Sequence, residues 1–133
     1  MPDARAAGLR ILVCGGRDYE DRPAVYRALD RLHAKRGISL LIHGAARGAD
    51  TLAREWAEDR NVPLMEFMAD WKRHGFAAGP LRNQQMLDKG RPDGVVAFPG
   101  GNGTADMVRR AQSSGLKVWF PINQEDRGGR RDR

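Results

Sequence analysis

Cysteine is almost absent from this sequence. Among 133 residues only Cys14 carries a thiol, so no disulfide can form within the chain, and we expect this residue to be a small member of the core. A chain of this kind fits a reducing compartment, and we therefore expect a cytoplasmic protein. The three histidines do not combine with cysteine at the spacing of a structural zinc site, so we predict no metal and no cofactor.

Long apolar runs are also absent. No stretch reaches the roughly eighteen apolar residues of a membrane-spanning helix, and no segment near the first residue resembles the apolar core of a signal peptide. We therefore expect no membrane partner. The length suits one domain with its own hydrophobic core. We place that domain at residues 9–122, between a flexible tail at 1–8 and a flexible basic tail at 123–133.

Acidic residues are outnumbered by basic ones. Lysine and arginine total 23 against 17 for aspartate and glutamate, which gives a formal net charge of +6 and a pI of about 10.2. An excess of positive charge can indicate a polyanionic partner such as single-stranded nucleic acid. Most of these charges alternate with acids on predicted helices, as in "REWAEDR", which is also typical of a solvated helix face. Both interpretations stay open at this point.

Apolar strands alternate with amphipathic helices along the chain. The predicted strands span 9–14, 38–43, 63–68, 93–99 and 116–121. The predicted helices span 23–37, 51–60, 80–90 and 103–115, the third beginning at Pro80. The segment "ADWKRHGFAAG" has no clear period and is predicted to be a loop. Strands that are apolar on both faces predict an α/β fold, doubly wound, with a mainly parallel five-stranded sheet and helices on both faces.

Three glycine-rich turns follow predicted strands: "CGGRDY", "HGAARGAD" and "PGGNGT". The carboxyl ends of parallel strands meet at one edge of the sheet, where ligands bind and where helix N-termini favour phosphate. Glycine lets a backbone approach such a ligand closely. The residues of these turns that we predict to bind a ligand are Gly15, Gly16, Arg17, Asp18, His43, Gly44, Arg47, Gly48, Asp50, Pro99, Gly100, Gly101, Asn102, Gly103 and Thr104.

Several of these side chains have an alternative structural role. Arg17 and Arg47 either hold phosphate with a guanidinium group or form surface ion pairs with Asp18 or Asp50. Asp50 either caps the helix that follows it or binds a ribose hydroxyl. His43 is expected to be a hydrogen-bonded structural residue more often than an acid or base.

Two further positions carry aromatic rings near the predicted edge. Trp71 and Phe76 either stack on a base or anchor the loop that contains them. No Gly-Lys-Ser/Thr sequence follows a glycine turn, and no dinucleotide fingerprint follows the first strand. Generic nucleotide motifs therefore do not identify the ligand.

Four blocks in this order resemble a known family. They are "CGGRDY", "HGAARGAD", "ADWKRHGFAAGPLRNQQML" and "VVAFPGGNGTADMV". Together they are similar to the YspA/YpsA-related branch of the SLOG superfamily over residues 9–121. The resemblance is more distant to the Lonely Guy phosphoribohydrolases and to DNA-processing protein A.

The resemblance implies a Rossmann-like domain that binds a nucleotide or nucleotide-derived ligand along the strand ends. Arg82 stands where the Lonely Guy enzymes have a catalytic arginine, and with Asn83 it would close the ligand site. Met107 stands where those enzymes have a glutamate. A thioether cannot stabilise an oxocarbenium-like transition state as a carboxylate does. We therefore expect binding of a nucleotide-like small molecule and not glycosidic hydrolysis by that route.

Two alternatives to simple binding follow from the same residues. An enzyme acting on the N-glycosidic bond of a nucleotide would use Arg82 and Asp50 as its catalytic residues, because Asp50 can supply a carboxylate from a neighbouring turn. A single-stranded nucleic-acid-binding protein is the other alternative, because "HGAARGAD" also resembles a turn of DNA-processing protein A. The resemblance further implies a possible homodimer.

Overall fold

A five-stranded parallel sheet organises the chain. The computed structural model describes residues 8–122, so the predicted tails lie outside the described residues apart from Gly8. The strands are β1 (Leu9–Cys14), β2 (Ile38–His43), β3 (Leu64–Glu66), β4 (Gly94–Ala97) and β5 (Lys117–Trp119). Their order in the sheet is β3-β2-β1-β4-β5, and every pair is parallel. The strand order therefore reverses between β1 and β4, where such folds bind their ligands.

Helices cover both faces of the sheet, as predicted. They are α1 (Arg22–Arg36), α2 (Ala49–Asp59), α3 (Trp71–His74), α4 (Ala78–Asp88) and α5 (Asn102–Ser113). On one face, Val13 of β1 packs in a buried cluster with Leu29 of α1 and Trp56 of α2. On the other face, Leu12 of β1 joins Met86 of α4 and Met107 of α5. Successive residues of one strand thus serve two cores, which explains its unbroken apolar sequence.

The segment at 69–79 is not the predicted loop. The side chain of Asp70 accepts a hydrogen bond from the Arg73 amide at 3.1 Å and begins α3. A 3₁₀ helix at Gly75–Ala77 follows, and α4 begins at Ala78, before Pro80. Pro80 is tolerated in the first turn because an amide at that position has no intrahelical acceptor. Helices of three or four residues are too short to show a periodic apolar pattern. The capping residue Asp70 is therefore their only signal in the sequence.

The three glycine-rich turns contact one another through Gly16. Its amide donates to the Pro99 carbonyl oxygen at 2.8 Å, and its own carbonyl oxygen accepts from the Ala49 amide at 3.1 Å. A Cβ added to Gly100 would lie 2.7 Å from the Gly16 nitrogen. Gly48 has a φ of +78°, and a Cβ added there would lie 2.5 Å from the Arg17 carbonyl carbon. These glycines are needed so that the backbones of the turns can touch.

Gly48→Ala is therefore expected to destabilise the protein more than Gly115→Ala does. Both positions have positive φ, +78° and +84°, but a Cβ at Gly115 would meet nothing within 4 Å. Backbone strain alone costs about 1–2 kcal/mol, and the contact at Gly48 should add about 1 kcal/mol or more to that loss. Urea unfolding of the two variants measures the difference. Equal losses would contradict the close contact between the turns.

Candidate functional site

A cavity of about 810 Å³ opens at the carboxyl ends of β1 and β4. Its volume lies within the range of small-molecule sites. The first glycine turn, the start of α4 and the start of α5 form most of its wall. The predicted ligand-binding residues in this wall are Gly15, Gly16, Arg17, Asp50, Arg82, Asn83, Gly101, Asn102, Gly103 and Thr104. The fold thus brings residues from all three turns and from α4 to one cavity.

A second cavity, of about 360 Å³, adjoins the first. The two share Arg17, Ala46, Trp71 and Arg82 in their walls. Residues 44–47 also line the second cavity, which places the predicted Gly44 and Arg47 there. The side chain of Arg47 pairs with Asp18 at 3.5 Å, and both are largely exposed. Of the two roles predicted for Arg47, phosphate binding or a surface ion pair, the structure therefore shows the ion pair.

The remaining predicted residues lie outside these two walls. Gly48 and Pro99 join the turns to one another. Gly100 lines a third cavity, of about 380 Å³, that lies beside Phe120 and shares part of its wall with the first. His43 is buried, and its Nδ1 accepts a hydrogen bond from the Ala45 amide at 3.0 Å. Burial lowers the pKa of His43, although the Glu66 carboxylate nearby partly opposes this shift. His43 thus supports the second turn.

Arg82 and Asn83 tie the second turn to α5. The Arg82 Nη1 donates to the Gly44 carbonyl oxygen at 2.6 Å, and its Nε donates to Asn83 Oδ1 at 3.0 Å. The Asn83 amide in turn donates to the Gly103 carbonyl oxygen at 3.2 Å and to Asp106 Oδ2 at 3.0 Å. Burial lowers the pKa of Arg82, Asp50 opposes that shift, and the charge of Arg17 adds to it. Two guanidinium groups therefore face the same region of the cavity wall.

Arg17 carries a positive charge that is not neutralised by a carboxylate among residues 8–122 at ion-pair distance. Its guanidinium carbon lies 5.2 Å from the centroid of the Trp71 ring, which is a cation–π contact. Of the two alternatives for Arg17, the ion pair with Asp18 or Asp50 does not form, and the guanidinium group contacts an aromatic ring. The guanidinium donors of Arg17 remain beside the cavity that both residues line.

Asp50 holds the second turn closed. Its Oδ2 accepts hydrogen bonds from the amides of Gly44 at 3.1 Å and Ala46 at 3.2 Å. Burial raises the pKa of this carboxyl to about 6, against the hydrogen bond from Ala46 and the charge of Arg82. Asp50 is the second residue of α2, which begins at Ala49. Its carboxylate therefore stabilises the turn that precedes this helix. It also forms part of the cavity wall.

The start of α5 is an open part of the wall. Among the described residues no side chain caps this helix, whose N-cap residue is Gly101. The first amides of a helix have no intrahelical acceptor and carry the positive end of its dipole. A Cβ added to Gly101 or Gly103 would meet nothing within 4 Å. Packing therefore does not require glycine at these two positions, unlike Gly48 and Gly100.

Asp106 lies in the cavity wall but is not among the residues predicted from the sequence to form the site. Its oxygens accept from Arg109 at 2.6 Å and Arg110 at 2.8 Å, as well as from Asn83. Burial opposes the shift, but the hydrogen bonds from Arg110 and Asn83 hold the pKa of Asp106 below its usual value. In the sequence, these ion pairs are indicated only by the two arginines that follow Asp106 after three and four residues, about one helical turn later.

Cys14 is a core residue, as expected, and Met107 is another. Both are buried in the cluster beneath α4 and α5, and both reach the cavity wall. Burial raises the pKa of the Cys14 thiol to about 12, so the thiol is protonated at neutral pH. Met107 is uncharged, whereas the sequence resemblance to the Lonely Guy enzymes implies a glutamate at this position.

Residues 8–122 contain no cluster of three or more His, Cys, Asp or Glu side chains that could hold a metal ion. In the same part of the chain, no helix has both the length and the apolar character needed to cross a membrane.

Asp50→Asn is expected to remove one pH dependence from the stability of the protein. Folded Asp50 keeps its proton up to about pH 6, whereas an unfolded aspartate loses it near pH 4 (roughly). The stability that protonated Asp50 contributes is complete below the unfolded pKa and is lost as the pH rises through the folded one, a change of about 3 kcal/mol. Asparagine keeps an oxygen for the Gly44 and Ala46 amides and does not titrate.

Urea unfolding of both proteins, from about pH 4 to about pH 8, measures this change. The parent protein should lose stability relative to Asp50→Asn across that interval. A difference that stays constant with pH would contradict the raised pKa.

Comparisons with known proteins place the chain in a family. The model of the YspA, cpYpsA-related SLOG family matches residues 9–74. The Gene 61 protein of Mycobacterium phage D29 is 42% identical over 117 residues, which cover 82% of this chain and 93% of the phage protein.

A solved structure shares the fold. The X-ray structure of DNA processing protein A from Streptococcus pneumoniae aligns with a TM-score of 0.50 over 91% of this chain. The chain spans 61% of that protein's length, and at 16% identity the likeness shows the fold alone. The sequence comparisons go further: the chain belongs to the YspA, cpYpsA-related SLOG family.

Proposed function

We propose that this protein binds a phosphorylated nucleotide or nucleotide-derived ligand in the larger cavity. The phosphate would lie against the start of α5, where the backbone of residues 101–104 lines the wall. The observation that carries the proposal is the pair Gly101 and Gly103, whose lack of a side chain serves no contact within the fold. A ligand that approaches the backbone closely gives these glycines a purpose.

The charges of the wall support an anionic ligand. Arg17 lies in this wall with no carboxylate at ion-pair distance in the described part of the chain, and the half-buried Arg82 shares the wall. The two carboxylates in the wall are already engaged, Asp50 by backbone amides and Asp106 by arginines and Asn83. An anion between Arg17 and Arg82 would reduce the repulsion between their charges.

Isothermal titration calorimetry tests the proposal directly. Nucleoside monophosphates should bind to the folded protein, and ribose 5-phosphate should bind through its phosphate group. Folded protein that binds none of these compounds would overturn the proposal.

Single-stranded nucleic acid is the alternative ligand, because it carries the same phosphates and bases. The solved structure that shares the fold belongs to a protein named for DNA processing. An oligonucleotide belongs in the same titrations for this reason. Its affinity would fall steeply as salt rises if the backbone phosphates dominate binding, whereas one bound nucleotide would show a shallow dependence.

Gly103→Ala is expected to separate binding from stability. Residue 103 lines the cavity, so a methyl group there would occupy space that the proposed phosphate needs beside the helix amides. The affinity for a nucleoside monophosphate should therefore fall about tenfold or more, in line with a lost charge-assisted hydrogen bond. Alanine favours a helix more than glycine does, so the free energy of unfolding should stay unchanged or rise by up to about 1 kcal/mol.

Calorimetry and urea unfolding of Gly103→Ala measure the two quantities. Ser113→Ala, at the exposed far end of α5, is the control for helix propensity. Nucleotide affinity that is the same in both variants would place the phosphate elsewhere.

A second candidate function is hydrolysis of a nucleotide N-glycosidic bond. The observation that favours it is the Asp50 carboxyl, whose pKa of about 6 is of the kind found at catalytic sites. Arg82 lies in the same cavity wall. Above about pH 6 the ionised carboxylate would stabilise positive charge developing on the sugar.

Chromatography of nucleoside monophosphates after incubation with the protein tests this candidate. Released base that disappears in Asp50→Asn, while nucleotide binding remains, is the expected result. A complete lack of turnover across the monophosphates would leave binding as the function.

A further inference from the structure

Phe76 is exposed although it lies in the wall of the larger cavity. It belongs to the 3₁₀ helix at Gly75–Ala77, between α3 and α4, and its side chain is 98% exposed. The fold thus leaves a phenyl ring in water at the position where the cavity opens. Of the two roles that the sequence allows, anchoring the segment is excluded for this residue, because an anchoring ring would be buried.

Trp71 is 47% exposed, but it differs from Phe76 because its ring has contacts within the fold. Arg17 covers its ring at 5.2 Å from the centroid, and a Cβ added to Gly79 would lie 3.4 Å from its Cη2. Trp71 therefore packs α3 against the start of α4. Phe76 follows five residues later in the same helical segment. Both faces of its ring are exposed to solvent.

We propose that Phe76 is the base-stacking residue of this site, so that the ligand must carry a planar aromatic base in addition to a phosphate. This inference rests on the proposed function, and it narrows the ligand to a nucleotide as opposed to a sugar phosphate. Stacking is the chemistry that a ring with open faces offers, and it recovers apolar surface that is otherwise left in water. The cavity that Phe76 lines also holds the amides of α5 and the arginines that would bind the phosphate.

The segment that contains Phe76 offers no side-chain hydrogen bonds. Positions 75–80 read "GFAAGP", and the residues of this segment that line the cavity are Phe76, Gly79 and Pro80. Stacking recognises the face of a base, which all bases share. AMP, GMP, CMP and UMP should therefore bind with affinities within about tenfold of one another.

The test compares AMP with ribose 5-phosphate by calorimetry, using the full chain. AMP should bind about tenfold or more tightly than ribose 5-phosphate, the effect that stacking on one aromatic side chain produces. Phe76→Ala should remove this advantage and leave the affinity for ribose 5-phosphate unchanged. Phe76→Trp should retain it, because an aromatic ring remains.

Leu81→Ala is the matched control. Leu81 is an exposed apolar residue on α4 that lies outside the cavity wall, so its loss should change neither affinity. Because Phe76 has almost no contacts to lose, Phe76→Ala should unfold at the same urea concentration as the parent protein. Loss of AMP affinity in that variant would then report the missing ring and not a misfolded chain.

Three results would overturn the inference. Equal affinities of the parent protein for AMP and ribose 5-phosphate would refute a base site while leaving phosphate binding in place. Unchanged AMP affinity in Phe76→Ala, with a smaller mass by light scattering, would instead assign the ring to an interface between copies of the chain. Failure of both compounds to bind would overturn the proposed function as well.

Discussion

The candidate site depends on the backbone of one residue, Gly16. Its amide donates to the Pro99 carbonyl oxygen, and its carbonyl oxygen accepts from the Ala49 amide. The turns after β1, β2 and β4 are thereby fixed against one another before any ligand is present. The amide and the carbonyl group of Gly16 are therefore already used in contacts between the turns.

The glycines of these turns therefore fall into two groups. At Gly48 and Gly100 a side chain would collide with the neighbouring turn, whereas at Gly101 and Gly103 it would enter open space. The sequence does not distinguish the two, because both kinds of glycine occur in the same type of motif, and Gly100 and Gly101 are adjacent. Only the distances between turns that are far apart in the chain separate the glycines that packing requires from those at which a Cβ would meet open space.

The same reasoning explains how much the sequence could predict. The sheet and the four longer helices were predictable because their apolar residues repeat with strand or helix spacing, and the turns were predictable because parallel strands end at one edge. The helical segment around Trp71 was not, since a single turn has no period. Pairings such as Arg17 with Trp71 or Asn83 with Asp106 join distant residues, so the role of Asp106 had only the weak signal of its spacing to two arginines.

The balance of charge in the wall bears on the choice between binding and catalysis. A carboxylate near a helix N-terminus would repel a phosphate, but Asp106 is neutralised by Arg109 and Arg110 and serves to hold Asn83. Met107, which follows it, is buried and uncharged. The first turns of α5 thus offer amides and no free carboxylate to an anion. Any carboxylate chemistry would have to come from Asp50 across the cavity, where the same oxygen already holds the second turn closed, so catalysis there would compete with the contact that shapes the site.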